Sequence, residues 1–217
     1  MKIDIWSDIN CPFCYIGKRK FEMAMSQFDH KEDVEIEWHS FELDPGMKSQ
    51  PDKNIYDYLA ERKGISREQS EQMHANVTAI ASEVGLIYNF DKAMVANSFD
   101  AHRLIHLAKT MNLGDEAEEI LFNAYFSQGK NISDLDTLIE LGVEMGLERV
   151  AVEQVIHNNS FAAEVREDEA MAERIGVNGV PFFVFDNKYA ISGAQDPESF
   201  LQALEQTYKE KEPVVNS

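Results

Sequence analysis

The chain has 217 residues, enough for one large domain or a compact domain carrying a sizeable insertion, and enough to bury a core without cross-links. Its 44% hydrophobic and 10% aromatic content excludes a disordered chain, and no apolar run approaches the roughly 18 residues that cross a bilayer. With 20 basic against 39 acidic side chains the formal net charge is −19, a surface that repels phosphates and anionic headgroups, so neither nucleic acid nor membrane is an expected partner.

Residues 2–6, K-I-D-I-W, alternate at period two and are β-branched, which predicts a first strand. Asp4 and Asp8 interrupt this stretch, leaving no apolar leader-like segment, and the cytoplasm is the expected compartment. A helix follows from Cys11 to about Phe28. V-E-I-E-W-H-S-F then alternates again, Val34, Ile36, Trp38 and Ser40 on one face and Glu35, Glu37, His39 and Phe41 on the other, before the turn Asp44-Pro45-Gly46. Strand, helix and strand in this span make a βαβ unit with a parallel pair.

From about residue 52 to residue 160 the pattern is helical. Ser66 with Gln69 forms a capping box ahead of Met73, Val77, Ile80 and Val84. Asn97 or Ser98 caps a helix carrying Leu104, Ile105 and Ala108. Further helices run from Asp115 to Gly129, from Ser133 (with Asp136) to Gly146, and from about Leu147 to His157; another begins at Ser160 and ends at Gly176. V-P-F-F-V-F, D-N-K and Y-A-I-S-G then read as a β-hairpin, and Asp196-Pro197 opens a last helix. The organisation expected is an α/β domain built from residues 1–50 and 161–210, an all-helical insertion over 51–160 after the second strand, and a frayed tail at 211–217.

Both cysteines, Cys11 and Cys14, stand at the end of the first strand. A structural disulfide between them would close so short a loop that the chain-entropy model assigns it about 2 kcal/mol, against about 4.7 for a hundred-residue loop. A structural zinc site needs four ligands, and one C-x-x-C supplies two; His102 and His106 lie far along the chain. No metal is expected. The redox reading fits the surroundings better: a strand-to-helix junction offers free N–H groups and the positive end of a helix dipole to a thiolate, and Pro12 suits the first helical turn. Positions i and i+3 share a helix face, so Cys11 is expected as the exposed nucleophile at the tip and Cys14 as the buried thiol that resolves a mixed disulfide. G-V-N-G-V-P-F-F-V-F places Pro181 at a strand entry, either as an ordinary trans proline or as a cis-proline loop facing the C-x-x-C, in which case Val180 offers its backbone to an extended substrate.

W-S-D-I-N-C-P-F-C-Y-I-G, F-E-L-D-P, N-S-F-D-A-H-R-L and G-V-N-G-V-P-F-F-V-F together resemble the FrnE-like branch of the DsbA family, over nearly the whole chain. The resemblance implies a thioredoxin-like fold with an all-helical domain inserted after the second strand. It also implies thiol–disulfide oxidoreductase activity, with Cys11 attacking, Cys14 resolving and Pro181 as the cis-proline. Its N-S-x-x-A-H motif implies that Asn97, Ser98 and His102 line the cleft mouth and orient a thiol such as glutathione, a candidate co-substrate; the alternative is a helix cap with hydrogen-bonded histidines. Pro12 and Phe13 stand where periplasmic relatives carry a histidine, which implies a less oxidising couple. His39 reads as structural, Asp8 as a turn residue or as a group tuning Cys11, Trp6 and Phe182 as packing, and Phe13 as exposed.

Two other functions compete. A glutathione-dependent isomerase or transferase of the kappa-class or hydroxychromene-carboxylate isomerase type usually has serine at the Cys11 position, and its turnover would persist in Cys14→Ala. A non-catalytic adaptor or chaperone would keep its activity without either thiol, but leaves the paired thiols and Pro181 unexplained. The partners expected are protein or small-molecule thiols and disulfides, with the chain a monomer or a homodimer.

Overall fold

The computed structural model describes residues 1–210; the expected tail at 211–217 lies outside the described residues. A mixed sheet forms the centre, in the order β2-β1-β5-β6. β1 (Lys2–Ser7) runs parallel to β2 (Glu35–Ser40) and antiparallel to β5 (Phe182–Phe185), which turns back into β6 (Tyr189–Ser192). Asp186 and Asn187 make that turn at φ 47° and 56°, positive values that Asp and Asn tolerate better than other side chains.

The faces of the sheet are covered differently. Ile3, Ile5, Trp38, Phe183 and Phe185 pack with Phe21, Ala24 and Phe28 of α1 (Pro12–Gln27) and with Phe200 and Leu204 of α9 (Pro197–Lys209). On the other face Trp6 and Val184 meet Ala172 of α8 (Ala162–Arg174) and Val177. A polar knot ties α8 to this face. His39 bridges Asp4 (2.8 Å) and Asp168 (2.7 Å), the Ser40 amide donates to Asp168 at 2.8 Å, and the Trp6 ring stacks on His39. His39 is therefore structural. Burial opposes its positive form, but the two carboxylates win and raise its pKa; burial likewise opposes the Asp168 anion, but His106 and His39 hold that carboxyl below its ordinary range.

Between β2 and α8 lie α2 (Ile55–Lys63), α3 (Arg67–Glu83), α4 (Phe99–Lys109), α5 (Gly114–Phe122), α6 (Leu135–Glu144) and α7 (Arg149–His157). The Ser66–Gln69 capping box is formed in both directions. Asp134, rather than Ser133, caps α6 by accepting from the Thr137 amide. α5 continues into a π-helical turn, Asn123–Ser127. The segment is not wholly helical: β3 (Gln50–Asn54) pairs antiparallel with β4 (Met94–Val95) in a short, irregular ribbon. A single apolar cluster joins these helices to Cys11, Cys14, Tyr15 and Ile16, so the N-terminal turns of α1 belong to the insert's core while its later turns belong to the sheet's. Lys18, 2% exposed, locks the junction by pairing with Asp115 and Glu119 of α5 at 3.1 and 3.3 Å.

Candidate functional site

Cys11 occupies the cap position of α1 in extended conformation, φ −92° and ψ 110°, and Pro12 takes the first helical position, where a missing N–H costs nothing. The Cys11 amide donates to the Asp8 carbonyl at 2.9 Å and the Cys14 amide to the Cys11 carbonyl at 3.0 Å, which sets both thiols in one turn. The insert braces this turn through Tyr88, whose hydroxyl donates to the Pro12 carbonyl at 2.6 Å.

Opposite the turn, the Val180–Pro181 bond is cis, and the Cys11 thiol donates to the Val180 carbonyl at 3.5 Å. Gly17, one turn past Cys14, makes this approach possible, because a Cβ there would stand 2.8 Å from Pro181 Cγ.

Cys11 is 5% exposed and Cys14 1%. The expected exposed Cys11 is thus corrected: the insert's residues close over the helix tip, and Cys11 reaches the outside through a cavity of about 460 Å³ lined by Phe13, Leu43, Met73, Phe90 and Phe126, among others. Phe13 is exposed at its rim.

The far side of the thiols is closed and polar. Burial, with Cys11 beside it, pushes the Cys14 thiol well above its ordinary range, while the Asp8 backbone and the Ser7 hydroxyl pull it back. Ser7 Oγ donates to Glu118 Oε2 of α5 at 3.4 Å. Glu118 is 1% exposed, and burial pushes its carboxyl up to about 7 against the pull of His102 and Lys18. Asp8 accepts from Ser98 Oγ (2.7 Å) and from the amides of Asn10 (3.1 Å) and Leu43 (2.8 Å). Its burial favours the neutral form, but His102, the Leu43 amide and Ser98 hold the carboxyl below its ordinary range. His102 Nε2 stands 3.5 Å from Asp8 Oδ1, an ion-pair separation, yet neither ring nitrogen completes a hydrogen bond.

The structure therefore brings Cys11, Cys14, Pro12, Phe13, Val180 and Pro181 together. Asn97, Ser98 and His102 do not line the cavity mouth. Ser98 and His102 are buried, and Asn97 is spent locally: its Oδ1 accepts from the Phe99 amide at 2.9 Å and its Nδ2 donates to the Met47 carbonyl at 3.2 Å. The reason is Asp8, a buried acid that draws Ser98 and His102 inward. Asp8 itself reaches both the cavity wall and the closed side.

Sequence reasoning missed Gly17, Tyr88, Ser7 and Glu118. Gly17 stands one turn beyond the second cysteine, and that spacing could have marked it as a close-approach glycine. Glu118 is one of 39 acidic residues, and no local pattern singles it out.

Comparison with known proteins agrees with this architecture. A probable DsbA oxidoreductase from Streptomyces coelicolor is similar in structure, with a TM-score of 0.92 and 39% identity over 99% of this chain and 92% of that one. The uncharacterized protein YwbO of Bacillus subtilis is 29% identical over 212 residues, 96% of this chain and 98% of the relative. The cytosolic disulfide reductase DsbM from Pseudomonas aeruginosa shares the fold at 18% identity, with a TM-score of 0.67 over 97% of this chain and 100% of that one. The profile of the DSBA-like thioredoxin domain matches residues 2–205, and the chain belongs to that family.

Proposed function

We propose that the protein is a thiol–disulfide oxidoreductase of the FrnE-like branch of its family, working through Cys11 and Cys14. The observation that carries this reading is the contact of the Cys11 thiol with the carbonyl preceding cis Pro181, with Cys14 one turn inside it. The Cys11 thiolate attacks one sulfur of a substrate disulfide and expels the other as a thiolate. The Cys14 thiolate then attacks Cys11 Sγ, forms the internal disulfide and releases the second substrate thiolate, so two electrons pass from protein to substrate. The reverse sequence oxidises a dithiol.

Burial keeps Cys14 protonated until it is needed, which holds the mixed disulfide open to substrate exchange. Pro12 and Phe13 place no cation beside Cys11, and the couple is expected to be less oxidising than the about −120 mV of periplasmic DsbA. A cytosolic glutathione pool poised at about −220 mV or below holds any couple above that value in its dithiol form, the form that reduces substrate disulfides. Cys11→Ser should abolish insulin reduction and small-disulfide exchange while leaving the circular-dichroism spectrum intact. Full activity in that variant would sink the reading.

A further inference from the structure

The cavity in front of Cys11 is lined mostly by apolar side chains, with Arg62 and Lys63 among its few charged ones. Its floor is buried side chains from separate elements, Phe90, Val95 and Phe126, and its mouth is ringed by three exposed apolar side chains, Phe13, Leu43 and Met73. A concave pocket with an exposed apolar rim and a buried apolar floor suits an extended apolar group.

The polar atoms in its wall are largely spoken for. Tyr125 Oη donates to the Met94 carbonyl at 2.9 Å, His74 Nδ1 pairs with the Ser70 carbonyl at 2.8 Å, and Asp8 is held by three donors. Asn10 donates its side-chain Nδ2 to the Ala96 carbonyl and leaves one buried acceptor, Oδ1, without a partner. Glutathione carries two carboxylates, an ammonium and two peptide units; in this pocket most of them would lose water and find nothing in return.

Two cations stand at the rim, both from the last turn of α2. Arg62 is already paired with Asp44 at 3.0 Å, whereas Lys63 is exposed and has no carboxylate partner among the described residues. Lys63 is therefore the rim cation available to a single anionic group.

We propose that this cavity binds small organic disulfides or thiols with an extended apolar body and a single terminal carboxylate, in preference to glutathione. The proposal rests on the oxidoreductase reading above and names the substrate class of that site. The reduced protein and the disulfide R–S–S–R yield the Cys11–Cys14 disulfide and two molecules of R–SH, with both electrons and both protons supplied by the protein dithiol. The apolar body lies among Met73, Val77 and Phe90, and the carboxylate meets Lys63.

The test is the rate of oxidation of the reduced wild-type protein by symmetric ω-carboxyalkyl disulfides of increasing chain length, with oxidised glutathione alongside. Dithiothreitol replaces the protein as the control for intrinsic reactivity, which is flat along such a series. The second-order rate constant should rise about threefold per added methylene over the first few, and the longest members should exceed oxidised glutathione by at least about tenfold. Met73→Glu, an exposed position that tolerates charge, should lower the long-chain rate about tenfold more than the glutathione rate. Lys63→Gln should shrink the advantage of each carboxylate over the equally long ω-hydroxyalkyl disulfide. A series flat in chain length, or a Met73→Glu loss equal for both substrate types, would overturn the proposal and leave the oxidoreductase reading standing. Failure of the folded protein to exchange with any of these disulfides would overturn both.

Discussion

In front of Cys11 the wall is largely apolar and open: Phe13, Leu43 and Met73 lead inward to Phe90 and Phe126. Behind Cys14 it is ionisable and shut: Ser7, Glu118, His102 and Asp8, none more than 1% exposed, contact one another or the thiol turn. The two sides lie within one helical turn of each other but respond to different variables. Solvent reaches the front, so a substitution there changes what binds at little cost to the fold. Water does not reach the back, so each charge there depends on its neighbours, and a change of one group is felt as a change in protonation and stability. The apolar, accessible wall and the buried ionisable one thus lie on opposite sides of the same pair of thiols.

That division can be broken most forcefully from the back. Glu118 binds its proton more tightly in the folded protein than in the unfolded chain, so the folded state gains stability at low pH and loses it as pH rises toward about 7. Lys18 and His102 face it as cations, Asp115 as an anion and Ser7 as a donor, and the net result is still an upward shift. Glu118→Gln removes this titration. Urea unfolding at pH 5 and pH 8 should show the wild-type protein losing stability relative to the variant, by up to roughly 3 kcal/mol. A parallel pH dependence in the two proteins would show that Glu118 is solvated. Asp8 and Asp168 act in the opposite sense: their depressed carboxyls stabilise the fold above their unfolded values, and that contribution disappears as pH falls through the folded ones.

The next largest effect lies at the seam between the two sides. Gly17→Ala places a methyl 2.8 Å from Pro181 Cγ and must push α1 away from the cis-proline loop. A destabilisation of about 1–3 kcal/mol is expected, with slower disulfide exchange because the Cys11 thiol moves off the Val180 carbonyl. Unchanged stability and rate would mean that the loop yields without cost. Tyr88→Phe deletes the donor to the Pro12 carbonyl and should cost about 1 kcal/mol in thermal or urea unfolding. Smallest in its bearing on the thiols is Ser66→Ala. It removes an exposed capping box on α3 and should lower stability by about 1 kcal/mol with no change in the rate of exchange, which gives the baseline for the others.

The parts of the molecule that sequence pattern makes legible are those whose meaning is local. The period-two runs of β1 and β2, the C-P-F-C junction, the hairpin from Phe182 to Ser192 and the Ser66–Gln69 box each carry their instruction within a few residues. The ribbon of β3 and β4 carries none. Gln50-Pro51-Asp52-Lys53-Asn54 has no alternation and no β-branched residue, Met94–Val95 is two residues long, and each is a strand only because the other lies beside it. The burial of Cys11 was equally invisible, since its cover comes from insert residues such as Tyr88 and Phe90. Ser98 and His102 show the same limit: helical spacing puts them on one face, but the buried acid that decides which way that face points is Asp8, on another element.

β1 has neighbours on both sides, and they arrive at different times. Glu35–Ser40 follows Lys2–Ser7 closely in the chain, but the partner of β1's other edge, Phe182–Phe185, comes far later, with Ile3 opposite Phe185 and Trp6 opposite Phe182. On a growing chain the helices of the insert are complete before the sheet can close, and β1 presents an unpaired apolar edge throughout that interval. The Cys11 thiol can meet the Val180 carbonyl only once that segment has been made, after all the helices from α2 to α8.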